Sequence, residues 1–292
     1  MTKTSPEPYG RKFSWRRYRT AYLFIAPALI YFALFFFLPI IDEFRLSFTT
    51  GFTKLTPVGG RNYVNIIHDS EMWHSFGITI IYAASCLILS SIIGLILALV
   101  LNQNFKGRTI ARTAILTPYM TSVAIIGLMW RNILDSNTGI LNAVLGDLGL
   151  PQQNWLTTAP LATLVSRTPS LKLLFLAGLQ SIDPQLHEAA RIDGASASKR
   201  LWKITLPMLA PTTLFVVLVG MIGSLQQFGL PYIVTNGGPG NETSLYVYQV
   251  YCETFTSGNL GYASAMSFLL LVVIVALSII QLRVGRMKEA IL

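Results

Sequence analysis

Residues able to do chemistry are sparse in this sequence, and their placement is informative. His68, His74 and His187 are scattered, and Cys86 and Cys252 stand apart from them, so no metal-ligand spacing forms. No G-x-x-x-x-G-K-[S/T] phosphate loop is present, and no Ser, His and acid set has a supporting motif. Catalysis and a bound metal are therefore not expected. Recognition remains. Arg167 and Lys172 lie in apolar sequence, where charged groups are costly and usually face a bundle interior or an aqueous cavity. Their spacing puts them roughly 140° apart on a helix, so they do not share one narrow face. A guanidinium at 167 can pair with an anion or hydrogen-bond hydroxyls. It can equally be a structural charge satisfied by a carbonyl, or one that snorkels to the surface. Gln226, Gln227 and Tyr232 suit sugar recognition, because amides donate and accept and a ring stacks on an apolar sugar face. The alternative for the amides is interhelical hydrogen bonding. Tyr119 joins this set as a pathway candidate, whereas Trp130 fits an interfacial aromatic belt.

The elements that must position these residues are long apolar blocks. The chain has 292 residues, 52% hydrophobic and only 12% charged. A soluble domain carries about twice that charged fraction. Six blocks are long enough to span a bilayer: Ala21–Ile41, Ile78–Leu101, Ile110–Trp130, Ala159–Leu179, Met208–Tyr232 and Tyr262–Leu282. Lipid leaves backbone groups only helices or closed barrels, and continuous apolar runs exclude the alternating barrel pattern. The first block follows Lys3, Arg11, Lys12, Arg16, Arg17 and Arg19 but lacks a small-residue cleavage site, so it is expected to stay as a helix.

The net charge of +9 reads as topology and not as nucleic-acid binding. Most Lys and Arg residues fall in the N-terminal segment, around Lys106–Arg112, in the loop Ser181–Pro207 and in the tail. The other side holds only Arg45, Lys54, Arg61 and Arg131. Both termini and the 181–207 loop are thus expected in the cytoplasm. The expected layout is a cytoplasmic segment 1–20, a six-helix transmembrane domain 21–282 and a cytoplasmic tail 283–292. The external segments are rich in turn signals such as Asn236-Gly-Gly-Pro-Gly-Asn241.

The stretch 183–211 reads DPQLHEAARIDGASASKRLWKITLPMLAP. Asp183 suits an N-cap and Pro184 the first helical position. Gly194 suits the left-handed position that ends a helix, and Ser196 or Ser198 can cap a second one. Ala189, Ala190, Gly194, Ala195 and Ala197 leave little bulk, so another surface can approach closely. Glu188 and Arg191 are neighbours on the helix and can pair with each other or across an interface.

Glu188-Ala189-Ala190, then Gly194, then Ile204-Thr-Leu-Pro207, resembles the EAA loop of ABC importer permeases. Leu176-Ala-Gly-Leu-Gln180, Ile192-Asp-Gly-Ala195, Gly237-Gly-Pro-Gly240, Gly261-Tyr-Ala-Ser264 and Phe105-Lys-Gly-Arg108 resemble the sugar permeases of the maltose-F and glycerol-phosphate-A type. The likeness covers nearly the whole chain, with one departure: Arg167 stands where similar permeases often carry tryptophan. The resemblance implies an all-α membrane protein with the type I importer permease fold, in a bacterial or archaeal cytoplasmic membrane. It implies that Glu188, Ala189, Ala190, Arg191, Asp193, Gly194 and Pro207 couple the chain to a separate ATPase, which binds ATP and Mg. Further implied partners are a second homologous permease, a second ATPase copy, an extracytoplasmic binding protein and a di- or oligosaccharide. Glycerol phosphate or its diesters are the alternative cargo. A solitary secondary carrier is disfavoured, because the spans carry almost no acidic residues.

Overall fold

The computed structural model describes residues 15–103, 105–158 and 172–289. The architecture is helical, with one two-stranded antiparallel ribbon, Thr49–Thr50 (β1) against Thr56–Pro57 (β2). Its spine is helix Ser70–Asn102 (α4), 33 residues and so about 50 Å long. That exceeds the roughly 30 Å of a bilayer's hydrocarbon core. Asp69 starts the spine by accepting hydrogen bonds from the Glu71 and Met72 amides at 2.9 and 3.1 Å. At the far end Arg108 Nε and an Arg112 terminal nitrogen donate to the Leu101 carbonyl, at 2.9 and 3.4 Å. Two cations on an orphan carbonyl also suit the negative end of the helix dipole.

Three buried clusters lie along α4. At its beginning, Met72 packs with Ile66 of helix Arg61–His68 (α3), Tyr246 of helix Tyr246–Phe255 (α13), and Tyr262 and Met266 of helix Leu260–Glu289 (α14). Midway, Tyr82 and Cys86 meet Leu230, Val234 and Leu245. At its end, Ala98 and Leu101 meet Phe175, Leu176 and Leu179 of helix Lys172–Gln180 (α9), together with Leu209. Polar side chains join the layers. Thr79 Oγ1 accepts from the Tyr246 amide at 2.8 Å, and the Tyr246 hydroxyl donates to the Met266 carbonyl at 2.9 Å.

Among the described residues three helices are long and apolar enough to cross a bilayer, Tyr22–Leu46, α4 and Leu260–Gly285 within α14. A fourth span forms if the bent pair Ala197–Met208 (α11) and Ala210–Leu225 (α12), meeting at 61°, counts as one. The expected third span is broken: helices Arg108–Met120 (α5) and Val123–Ile133 (α6) are separated at Thr121-Ser122, where Ser122 caps α6. The fifth also differs from a continuous Met208–Tyr232 helix. It stops at Leu225, and a π turn, Pro231–Thr235, follows. Most of the expected fourth span, 159–171, lies outside the described residues. The first span comprises helix Trp15–Phe32 (α1), a π turn Ala33–Phe37 and helix Leu38–Leu46 (α2), and its apolar window buries none of its residues in this chain.

The polar segments are organised by asparagines. Asn62 donates to the Ser47 and Thr49 carbonyls at 2.8 and 2.7 Å, tying α3 to the ribbon. Asn142 of helix Ile140–Asp147 (α7) bridges Ser136, Gln153 and Trp155, ahead of the short helix Trp155–Thr158 (α8).

Glycines set the closest approaches. Gly178 of α9 leaves room for Thr212 of α12, and Gly261 of α14 lies against the Thr49 carbonyl. A methyl at 261 has only backbone to push against, so Gly261→Ala should cost about 1–3 kcal/mol. The expected result is a several-degree drop in the melting temperature of the detergent-solubilised protein. Gly223→Ala, which meets open space inside a helix, should leave that temperature unchanged or slightly higher.

Candidate functional site

The hairpin 183–208 hangs at the α4 end marked by Leu101. Asp183 accepts from the Gln185 amide at 2.9 Å and Pro184 takes the first turn of helix Pro184–Ile192 (α10). Gly194 ends that helix at φ +75°, and the Ala195 amide closes back onto the Ala190 carbonyl at 2.9 Å. Ser196 then caps α11, accepting from Lys199 at 3.3 Å. A Cβ on Gly194 would meet nothing within 4 Å. Glu188, Ala189, Arg191, Asp193 and Gly194 are exposed, and Ala190 is half-buried. Glu188 and Arg191 form no ion pair with each other or with another described residue. Five of the seven coupling candidates thus present one open surface. Pro207 lies apart from it, half-buried beside the 61° bend.

Sequence reasoning overlooked the apolar part of this surface. Ile192 is 86% exposed and Trp202 66% exposed, with Leu186 also uncovered. Large apolar groups on a short polar hairpin were the available signal.

The pathway candidates divide. Arg167 lies outside the described residues, as do the side chains of Lys172 at the start of α9 and Tyr119 in α5. Gln226 and Gln227 occupy the break after α12. Their backbone amides close its last turn onto Ile222 and Ser224, and neither side-chain amide hydrogen-bonds another described residue. Gln226 is exposed and Gln227 half-buried. Tyr232 stacks on Phe228 with ring centroids 5.1 Å apart and 20° between planes. Tyr232 also lines a cavity of about 410 Å³ with Leu128, Arg131 and Asn236. A stacked ring and a guanidinium therefore share this cavity, and Gln226 and Gln227 are not among its lining residues. The structure adds Arg131, which the sequence pattern assigned to an external loop, to the surroundings of Tyr232.

A second, polar pocket of about 370 Å³ is lined by Asn65, His68, Asp69, Glu253, Asn259 and Tyr262. Tyr262 Oη donates to Asp69 at 2.5 Å, tying the start of α14 to the cap of α4. Glu71 accepts from Asn241 at 2.9 Å. Burial, then the Asp69 and Glu71 charges, hold the Glu253 carboxyl above its ordinary range, against a smaller opposing hydrogen bond from Ser257. Among the described residues no group of three or more His, Cys, Asp or Glu is placed to hold a metal ion.

The family described as binding-protein-dependent transport system inner membrane component matches residues 90–288. A trehalose/maltose transport system permease protein MalF of Thermococcus litoralis is 34% identical over 291 residues, covering 95% of this chain and 97% of that protein. An sn-glycerol-3-phosphate transport system permease protein UgpA of Agrobacterium fabrum is 33% identical over 279 residues, covering 90% and 93%. The fold is that of a bacterial ABC transporter involved in import of the acidic polysaccharide alginate. The TM-score is 0.81 at 22% identity, over 93% of this chain and 96% of that one.

Glu253 supplies a pH prediction. A carboxyl raised in the folded state contributes stability that is complete below its unfolded value, near 4.5, and is lost as pH rises through the folded value. Acidification from pH 7 toward 5 should therefore stabilise the wild-type protein relative to Glu253→Gln. The check is the difference between their melting temperatures across that range. A difference that stays flat would contradict the burial argument.

Proposed function

Since the chain belongs to the family of binding-protein-dependent transport system inner membrane components, it is a permease of a binding-protein-dependent importer, and we propose that it forms half of a passage for a neutral sugar. In this reading residues 21–282 form six membrane-crossing helices, flanked by cytoplasmic segments 1–20 and 283–292. The chain sits in a bacterial or archaeal cytoplasmic membrane. A second homologous permease completes the passage. Two ATPase subunits bind ATP and Mg, and an extracytoplasmic binding protein delivers the sugar. The relative named as a trehalose/maltose permease supports a di- or oligosaccharide cargo.

One observation carries the proposal: an exposed two-helix hairpin, small-residued and apolar at Ile192, whose turning glycine faces open space. It lies at the α4 end opposite the Asp69 pocket, about a membrane thickness away. The Lys and Arg distribution supports a cytoplasmic location for that end. A nucleotide-driven partner seated on Glu188–Gly194 pulls on α10 and α11. The 61° bend at Leu209 then passes the motion into α12, which ends at Gln226. Substrate meets the free amides of Gln226 and Gln227 and the Tyr232 ring at that break. Arg167, Lys172 and Tyr119 belong to the same passage in this reading.

A second reading has one observation in its favour. Arg131 beside Tyr232 puts a cation at the cavity, which suits an anionic cargo such as glycerol phosphate or its diesters.

Gly194→Val tests the coupling role. The left-handed φ costs about 1–2 kcal/mol for a side chain, and the open surroundings add no clash. Membrane insertion and the amount of protein should be unchanged. ATP-driven uptake of maltose and trehalose by the reconstituted complex should fall more than about tenfold, with the ATPase no longer co-purifying. Normal uptake would sink the proposal. Preferred uptake of sn-glycerol 3-phosphate by the unsubstituted complex would favour the second reading.

A further inference from the structure

A row of aromatic rings leads away from the helix break, and nothing above gives it a task. Phe228 stacks on Tyr232 at 5.1 Å, Tyr232 meets Tyr251 edge-on at 5.2 Å, and Tyr251 meets Phe255 at 5.0 Å. The first two rings lie just after Gln227, and the last two project from α13 at positions one helical turn apart. None of the four belongs to the three core clusters or packs among their partly buried neighbours. Tyr232 is 42% exposed and Phe255 67% exposed, so the row opens to the surroundings along its length and at its outer end. Phe228 and Tyr251 are half-buried, and Tyr251 also stacks on the buried Tyr248, so the open ring surface is that of Tyr232 and Phe255 with Tyr251 between them.

The chemistry of the row is selective. Aromatic faces bind apolar surfaces, and tyrosines add a polar edge for hydroxyl groups. A pyranose has both characters: a face of C–H bonds and a rim of hydroxyls. The acidic groups Asp69, Glu71 and Glu253 lie toward the α13 end of the row and disfavour an anion at Tyr251 and Phe255, whereas the cation Arg131 lies at the Tyr232 cavity. Gln226 and Gln227 directly precede Phe228 in the chain, and neither side-chain amide hydrogen-bonds another described residue. We infer that Tyr251 and Phe255 form an outer saccharide subsite, which holds the apolar face of a neutral sugar and hands it along Tyr232 to Gln227. This rests on the importer reading, and it adds a place where the sugar is held before the break.

Substitutions that keep bulk and remove the ring separate stacking from packing. Phe255→Leu and Tyr251→Leu are compared with Phe255→Trp and Tyr251→Phe in the complete importer in proteoliposomes, with maltose and trehalose as probes. One ring–sugar contact of about 0.5–1.5 kcal/mol corresponds to a roughly 2- to 10-fold change. The leucine variants should lower uptake at sub-saturating sugar by that factor, and the ring-retaining variants should recover it. The amounts of assembled complex should match in all four. Phe255 is mostly exposed, so its leucine variant is not expected to misfold.

Leucine variants that transport like the unsubstituted complex would overturn the subsite and leave the importer reading standing. Loss of uptake together with loss of the second permease from the complex would also overturn it, since the rings would then be a subunit contact. No ATP-driven uptake of either sugar by the unsubstituted complex would overturn the importer reading for these sugars and the subsite with it.

Discussion

Hydrocarbon offers no partner to a backbone amide or carbonyl, and every departure from helix in this chain has to be met by a side chain or placed at an edge. The spine α4 satisfies this most simply: 33 residues without a break, with Asp69 closing one end and Arg108 and Arg112 closing the other. The buried core is arranged against that rod. The three buried clusters lie along it in sequence, and the hairpin and the Asp69 pocket lie at its opposite ends. A single rigid element therefore fixes the separation between the hairpin and the polar pocket.

Several of the apolar segments break. Helical continuity is lost at Thr121-Ser122, at Leu209 and after Leu225. Each break leaves backbone groups short of a helical partner, and each is covered locally. Ser122 accepts from Ala124, Thr213 donates to Leu209, and the Gln226 and Gln227 amides turn back into α12. Covering the backbone this way leaves the Gln226 and Gln227 side chains without a hydrogen bond to another described residue.

The hairpin was legible because its signals are local. Asp183, Pro184, Gly194 and Ser196 each do what their residue type does at a helix boundary, independent of any distant contact. The apolar blocks were legible for the same reason, since length and hydropathy need no partner. The breaks were harder to read. Nothing in Ile110–Trp130 is a strong helix breaker except Pro118, yet the chain parts at Thr121-Ser122. Gln226 and Gln227 read as polar residues within a span, and only the three-dimensional course shows them at its end. The folding of the polar segments was equally hidden. Asn62 reaches two carbonyls of the 47–49 stretch and Asn142 ties Ser136 to Gln153, and a lone asparagine in a polar segment gives no sign of that.

Force applied at the hairpin has a definite route through this arrangement. α12 cannot slide freely against α9, because Gly178 brings the Thr212 side chain against the α9 backbone, and α9 in turn packs on the end of α4 through Phe175, Leu176 and Leu179. Gln281 of α14 holds α12 from another side by donating to the Leu214 carbonyl at 3.1 Å. A tug on α11 is therefore resisted along the lower part of α12. The upper end is held by packing as well: Leu225 is buried with Met72 and Tyr246, and beyond it Leu230 and Val234 pack on Tyr82 and Cys86 while Ile233 approaches Gly127 of α6. What the upper end lacks is helical continuity, since α12 terminates at Leu225 and the chain resumes as a π turn. A displacement carried along α12 therefore reaches a break whose backbone hydrogen bonds are not those of a continuous helix, so the packed layers on α4 can stay in place while the segment after Leu225 adjusts.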